Sequence, residues 1–324
     1  IEFTSGNILE PSCGIGNFFG LVPEKYQKSN LYGVELDSLT GRIAKQLYQK
    51  AGITIGGFEK TEHPDDFFDL AIGNVPFGEY KVHDKRYDKQ NLFIHDYFLT
   101  KTLDKVRPGG VVAFITTKGT LDKANSRVRE GLAQKADLLG AIRLPNNAFK
   151  ANAGTEVTCD ILFFQKRGSA PEKLPDWVQT GQTEDGVPIN KYYLQHPEMV
   201  LGKMSFWENM YGNKAETACL PIEDTDLAAQ LSEAVKQIAP PNKELLHLDA
   251  PEQEKTEKGE SIPADPNVRN FSFAEKDGKL YFRENSRMTL TEQGKMPAAR
   301  IKGMIGIRDS ARKLIDRQLN GAKE

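Results

Sequence analysis

Short, unbroken apolar runs alternate with amphipathic stretches along the first half of the chain. Asn7-Ile8-Leu9-Glu10, Leu31-Tyr32-Gly33-Val34-Glu35, Ile53-Thr54-Ile55 and Phe68-Asp69-Leu70-Ala71-Ile72 read as strands, the last covered on both faces. Val111 to Ile115, Leu138 to Leu144 and Asp160 to Gln165 add three more. Between them lie helical stretches: one beginning at Phe18, Gly41 to Lys50 with Ile43, Leu47 and Tyr48 on one face, and Leu92 to Val106 with Phe93, Tyr97, Leu99 and Leu103 among its apolar positions. A polar helix is expected over Ala124 to Lys135. The alternation predicts an α/β domain over residues 1–168, a Rossmann-like seven-stranded sheet with helices on both faces.

Beyond Arg167 the pattern loosens. Residues 169–240 read as short strands and loops packed on the domain edge, with one helix carrying Leu227, Leu231, Val235 and Ile238, capped by Asp224 or Thr225. Residues 241–268 are rich in Glu, Lys and Pro and read as a linker. Residues 269–324 predict a small α+β segment. Asp277-Gly278 between Phe271-Ser272-Phe273 and Lys279-Leu280-Tyr281-Phe282 signals a hairpin, and Pro297 to Leu319 a basic helix.

Composition narrows the class. The 324 residues are 39% hydrophobic and 27% charged, in the range of a globular protein. A formal net charge of -2 gives no global basic field for nucleic acid, so any such face must be local. No apolar run approaches the roughly 20 residues of a membrane span. Three scattered cysteines, Cys13, Cys159 and Cys219, without a CxxC pair, argue for a reducing cytoplasm and against a disulfide framework or a zinc site. The chain starts at Ile1 and reaches its first strand within a few residues, so it reads as a piece of a longer polypeptide.

The candidate chemistry lies in the loops that follow the strands. Pro11-Ser12-Cys13-Gly14-Ile15-Gly16-Asn17 is a glycine-rich turn between strand and helix. It has no Gly-Lys-Ser/Thr, so it is not a triphosphate loop, and Phe19 stands where a dinucleotide fold needs its third glycine. Glu35 ends the second strand 21 residues after Gly14, the spacing at which an acid meets ribose hydroxyls. Asp37 could serve the same site or cap the next helix. The fourth strand runs into Gly73-Asn74-Val75-Pro76-Phe77-Gly78, which places an amide, a fixed carbonyl and an aromatic ring at a strand's C-terminal end. Tyr80 to Asn91 carries Lys81, Arg86 and Lys89 around Tyr87: a solvated loop, or one that follows a phosphate backbone. His95-Asp96 carries no assigned chemistry. Phe149, in the loop before the seventh strand, fits the core or an aromatic face of the site.

Together these pieces resemble the S-adenosylmethionine-dependent N6-adenine DNA methyltransferases. Leu9-Glu10-Pro11-Ser12-Cys13-Gly14-Ile15-Gly16-Asn17-Phe18 is similar to their cofactor motif, and Asn74-Val75-Pro76-Phe77 to their Asn-Pro-Pro-Tyr/Phe tetrapeptide. The order of motifs looks like that of the gamma group and of type I modification subunits. The Asn-Val-Pro-Phe-Gly form, with Arg86-Tyr87-Asp88-Lys89 and Leu144-Pro145-Asn146-Asn147-Ala148-Phe149, looks most like the methylase modules of large helicase–methylase fusion proteins of bacterial mobile elements and phages. The resemblance implies S-adenosyl-L-methionine held by Glu10, Pro11, Cys13, Gly14, Gly16, Phe18, Glu35, Leu36 and Phe58. It implies a flipped adenine clamped by Asn74, the Val75 carbonyl held extended by Pro76, and Phe77. Phe149, Lys81, Arg86 and Lys89 are the candidate DNA contacts. DNA and a flanking helicase domain are the implied partners, with no membrane and no metal.

Three departures qualify the match. Val75 replaces the first proline of the tetrapeptide, though the acceptor there is a main-chain oxygen. Gly57 stands where the family offers an acid to the cofactor's adenine. The first cofactor segment would lie upstream of Ile8, where seven residues remain. Methyl transfer to RNA or to a protein glutamine, or a non-catalytic DNA-binding module of a larger helicase or anti-restriction protein, are the alternative readings.

Overall fold

The computed structural model describes residues 5–207, 216–242, 261–263, 265, 268, 272–284, 287–291 and 298–319. They fall into two compact units, one within Ile1–Ala250 and one within Pro251–Glu324.

The first unit is built on a seven-stranded sheet. Its strands are β1 (Asn7–Glu10), β2 (Asn30–Glu35), β3 (Gly52–Ile55), β4 (Phe68–Asn74), β5 (Val106–Thr117), β6 (Ala136–Leu144) and β7 (Cys159–Lys166). The order across the sheet is β3-β2-β1-β4-β5-β7-β6. All neighbours are parallel except β7, which runs antiparallel to both β5 and β6. All seven expected strands are present. The chain order reverses between β1 and β4, and in open α/β sheets the crevice at such a reversal is where ligands bind. β5 begins earlier than its apolar run suggests, at Val106. Pro108-Gly109-Gly110 does not end it; the register slips there, with Gly109 at φ 80°.

Helices α1 (Asn17–Gly20), α2 (Ser38–Leu47), α3 (Ile94–Lys105), α4 (Gly119–Asp122), α5 (Arg127–Lys135) and α6 (Lys150–Ala153) connect the strands. Asp37 caps α2, accepting from the backbone N–H groups of Leu39 and Thr40. α3 is buried nearly all round, including Lys101 and Lys105. Such lysines are tolerated only when paired. Lys101 meets Asp84 at 3.0 Å, and Lys105 meets Asp65 at 2.8 Å.

The segment after β7 packs into the same core. It contains strands β8 (Thr180–Gln182) and β9 (Pro188–Asn190), helix α7 (Lys191–Gln195), strands β10 (Lys203–Trp207) and β11 (Glu216–Leu220), and helix α8 (Leu227–Lys236). Trp177, Val187, Ile189, Tyr193, Met199 and Leu201 join the buried cluster of the seven-stranded sheet. Asp226 caps α8, one or two residues later than expected, because its carboxylate reaches the Ala228 N–H.

In the second unit, strands Ser261–Pro263, Ser272–Lys276, Lys279–Glu284 and Arg287–Leu290 form a four-stranded antiparallel sheet. Asp277 (φ 52°) and Gly278 (φ 75°) make the expected hairpin turn. A helix covers Ala298–Leu319. Most of the expected linker, 243–260, lies outside the described residues. Among the described residues no helix is long and apolar enough to cross a membrane.

Candidate active site

The C-terminal ends of β1, β2 and β4 bring the sequence motifs together. β1 ends in Glu10 and turns through Pro11 to Gly16. Gly14 and Gly16 both adopt positive φ, 54° and 87°, where L side chains are strained. A Cβ at Gly14 would meet nothing within 4 Å, so the turn is open on that side. A Cβ at Gly16 would collide with the Tyr48 ring. Gly33, on β2, gives the same turn room from beneath: a Cβ there would come within 2.9 Å of Cys13 Sγ.

Glu35 holds this turn. Its Oε2 accepts from Gly14 N–H at 2.7 Å and its Oε1 from Asp37 N–H at 2.8 Å. The sequence pairs Glu35 with the glycine turn by spacing alone, and the carboxylate reaches the turn directly. Leu36 follows as a largely exposed side chain, and Phe18 is half-buried at the start of α1.

Glu10 is the most perturbed acid of the site. It is 2% exposed, and its Oε2 has no hydrogen-bond partner among the described residues. Burial, reinforced by the charge of Glu35, pushes its pKa up to about 8. A buried carboxyl without a partner, at the mouth of a ligand crevice, fits a site that receives a cationic group.

β4 delivers the second motif. Its last residue, Asn74, is exposed, and no described residue bonds its side-chain amide. The backbone around it is fixed. Ser12 Oγ donates to the Asn74 carbonyl at 2.8 Å, tying the glycine turn to the motif. Val75 N–H donates to Ile115 O on β5 at 3.2 Å, and the Val75 side chain is buried. Val75 thus fills core space while its carbonyl has no described donor. Phe77 is half-buried.

Other expected residues are placed differently. Phe58 is 2% exposed, its ring centroid 5.0 Å from that of Phe98, so it is a core residue whose backbone forms the turn after β3. In that turn the Glu59 carboxylate lies over Gly57: a Cβ at Gly57 would collide with both carboxylate oxygens. Glu59 therefore puts an acid where a side chain at 57 would begin. The signal in the sequence was Gly57 with a carboxylate two residues on. Phe149 is half-buried against the main core, just before α6. Of the loop cations, Arg86 is engaged by Asp65 at 2.8 Å and Asp104 at 3.4 Å, and Lys81 by Asn91 at 2.6 Å. Lys89 is exposed without a described partner.

The family profile for N-6 DNA methylases matches residues 1–185, more than half of the chain. The chain belongs to the N-6 DNA methylase family. That assignment brings S-adenosylmethionine as cofactor, and the open glycine turn, Glu35 and the unpartnered Glu10 carboxyl fit such a ligand. Among curated proteins, the chain is 36% identical over 177 residues to defense against restriction protein B of Escherichia phage P1, which covers 52% of the chain and 8% of that protein. It is 30% identical over 114 residues to modification methylase CviBIII of Paramecium bursaria Chlorella virus NC1A, covering 34% of the chain and 30% of that protein. The chain thus spans less than a third of the length of either relative. Among solved structures, a type I restriction-modification methyltransferase subunit from Streptococcus thermophilus is similar over 51% of the chain and 40% of its own, with 16% identity and a TM-score of 0.43.

Proposed function

We propose that this N-6 DNA methylase domain transfers the methyl group of S-adenosylmethionine to the N6 amino group of adenine in DNA. The observation that carries the reading is an Asn74 amide and, beside it, a Val75 carbonyl that no described residue bonds, on backbone pinned by Ser12 and β5. The adenine N6 lone pair is delocalised into the ring, so the amino group is a poor nucleophile. Two fixed acceptors aimed at its two N–H bonds pull it toward a tetrahedral shape and localise that pair. The bound cofactor supplies an electrophilic sulfonium methyl. N6, held by Asn74 and the Val75 carbonyl, would be poised to take that methyl and to release one proton to solvent. The work of the protein is positioning and electrostatics, not strong base catalysis.

A base inside a duplex cannot reach such a clamp, so adenine enters flipped or unpaired. Phe77 supplies a stacking face, and Phe149 is the candidate for the other. Glu59 takes the role that the absent acid at 57 would have had, accepting from the amino group of the cofactor's adenine. The exposed Lys89 supports the 80–91 loop as the DNA-facing element, with Lys81, held by the Asn91 amide, and Arg86, held by Asp65, in the same loop. A flanking helicase domain is part of the same proposal, and the phage relative, of which the match covers 8%, is itself a much larger protein.

The test is transfer of labelled methyl to adenine-containing DNA, with RNA and protein acceptors alongside and Asn74→Ala as control. Label on N6 of adenine that disappears in the variant supports the reading. Label on RNA or protein alone, or label indifferent to the substitution, contradicts it.

A further inference from the structure

Lys101 lies in the middle of α3 and is 3% exposed. Its ammonium faces two loops that arise far apart in the chain. Nζ donates to the Phe58 carbonyl at 2.8 Å and to Asp84 Oδ2 at 3.0 Å. The same nitrogen lies 4.9 Å from the Phe58 ring centroid and 5.7 Å from that of Tyr97. Packing alone does not call for a lysine here. Between two aromatic rings a methionine or leucine would bury at no electrostatic cost, whereas desolvating an ammonium costs several kcal/mol. What the charge provides is a bond to each loop at once.

Each bond grips a key point. Phe58 begins the single turn Phe58–Lys60, and its carbonyl also accepts from Thr61 Oγ1 at 2.8 Å. This turn carries Glu59 over Gly57. Asp84 organises the other loop. It accepts from Tyr97 Oη at 2.8 Å and Arg86 N–H at 3.1 Å, its carbonyl accepts from Tyr87 and Asp88 N–H, and its own N–H donates to Asp88 Oδ1 at 2.8 Å. Lys101 Nζ thus bonds the 57–61 turn itself to the 80–91 loop, whereas the Arg86–Asp65 pair reaches the chain only beyond that turn. Burial works against the Lys101 charge, while Asp84 and then Glu59 favour it.

We propose that Lys101 is a positioning residue that couples the cofactor turn at 57–61 to the DNA-facing loop at 80–91, so that occupancy of either site tightens the other. The inference rests on the reading of the two loops given above. A ligand that stills one loop stills the other through the shared ammonium, and the second ligand then loses less conformational freedom on binding. Coupling of this kind is reciprocal.

The test is calorimetry on the full 324-residue chain. The Kd of S-adenosylhomocysteine is measured with and without a saturating adenine-containing oligonucleotide, and the oligonucleotide's Kd with and without S-adenosylhomocysteine. In the wild type each ligand tightens the other by the same factor, about fivefold or more. In Lys101→Met the factor falls to near one, although both ligands still bind. Asp84→Asn weakens the same link from the other side and lowers the factor too, which keeps the test available if Lys101→Met fails to fold. A factor unchanged in a folded variant overturns the inference, as does a wild type that binds both ligands independently, and in both cases the site reading stands. A wild type that binds neither ligand overturns the site reading and the coupling with it.

Discussion

Asn74 and Glu10 sit at the ends of adjacent strands but answer to different physics. Asn74 stands out by what it leaves free: among the described residues none bonds its exposed amide, while its backbone is held by Ser12. Glu10 acts by being buried without a partner. Its pKa, pushed by burial from the ordinary 4.5 up to about 8, gives a signed expectation. Below pH 4.5 the carboxyl is neutral folded or unfolded and costs nothing. As pH rises toward 8 the unfolded chain releases the proton and the folded chain keeps it, so stability falls across that window. Glu10→Gln removes the fall, and its gain in Tm over wild type grows between pH 5 and pH 8. The same variant weakens S-adenosylmethionine binding at pH 8. In the wild type that affinity rises with pH below 8, by at most about tenfold per unit, as the ligand's cation displaces the proton. A flat affinity from pH 6 to 8 would speak against Glu10 in the cofactor site. Glu59 gives a second residue-scale prediction. Loss of a charge-assisted hydrogen bond in Glu59→Gln weakens cofactor binding about tenfold. Gly57→Asp combined with Glu59→Ala recovers it by restoring an acid at 57. No recovery would place the adenine elsewhere.

At the scale of elements, the strands and their order of motifs were legible because uncharged apolar runs bounded by glycine turns leave few other readings. Ile8-Leu9 and Leu70-Ala71-Ile72 could hardly be anything but strands, with Ile8, Leu9 and Ala71 buried and Leu70 and Ile72 half-buried. The place of Glu35 was legible for the same reason: it sits at a fixed distance from a turn whose positive φ angles require glycine, and its carboxylate bonds that turn. What was not legible depends on contacts across the chain. α3 showed its apolar positions, but not that Lys101 and Lys105 turn inward, since a lysine in a helix is usually solvated. The resemblance places Phe58 among the cofactor-holding residues, but it does not foretell the burial of its ring beside Phe98, which depends on α3. The Arg86 pairing needed Asp65 and Asp104, 21 and 18 residues away, to be brought alongside.

For the molecule as a whole, the segment after β7 completes the first unit. Arg143 on β6 is fully buried, with Nε and Nη2 each 2.8 Å from the Asp160 carboxylate on β7, and Nη1 2.6 Å from Asp122 Oδ2. The Tyr193 ring of the later segment stacks on the guanidinium at 4.4 Å, and Asn190 N–H donates to Asp122 Oδ1 at 3.0 Å. Burial opposes the Arg143 charge, and Asp122 and Asp160 more than offset it. Arg143→Met would strand two buried carboxylates and lower stability by about 3–5 kcal/mol, read by urea unfolding. A loss under 1 kcal/mol, within the range of a surface pair, would mean that the later segment is not anchored there. This is also why no break in the apolar pattern near residue 168 could mark where the unit ends: its core draws on Trp177, Tyr193 and Met199.

The central claim concerns a clamp made of one side-chain amide and one main-chain carbonyl. The most direct measurement is single-turnover methyl transfer to an adenine-containing DNA, comparing wild type with Asn74→Ala at saturating S-adenosylmethionine. The account predicts N6-methyladenine from the wild type. In the variant it predicts a rate lower by about 100-fold or more with cofactor affinity preserved, because the lost acceptor acts on the transition state. N6-methyladenine formed at equal rates by both proteins would contradict it.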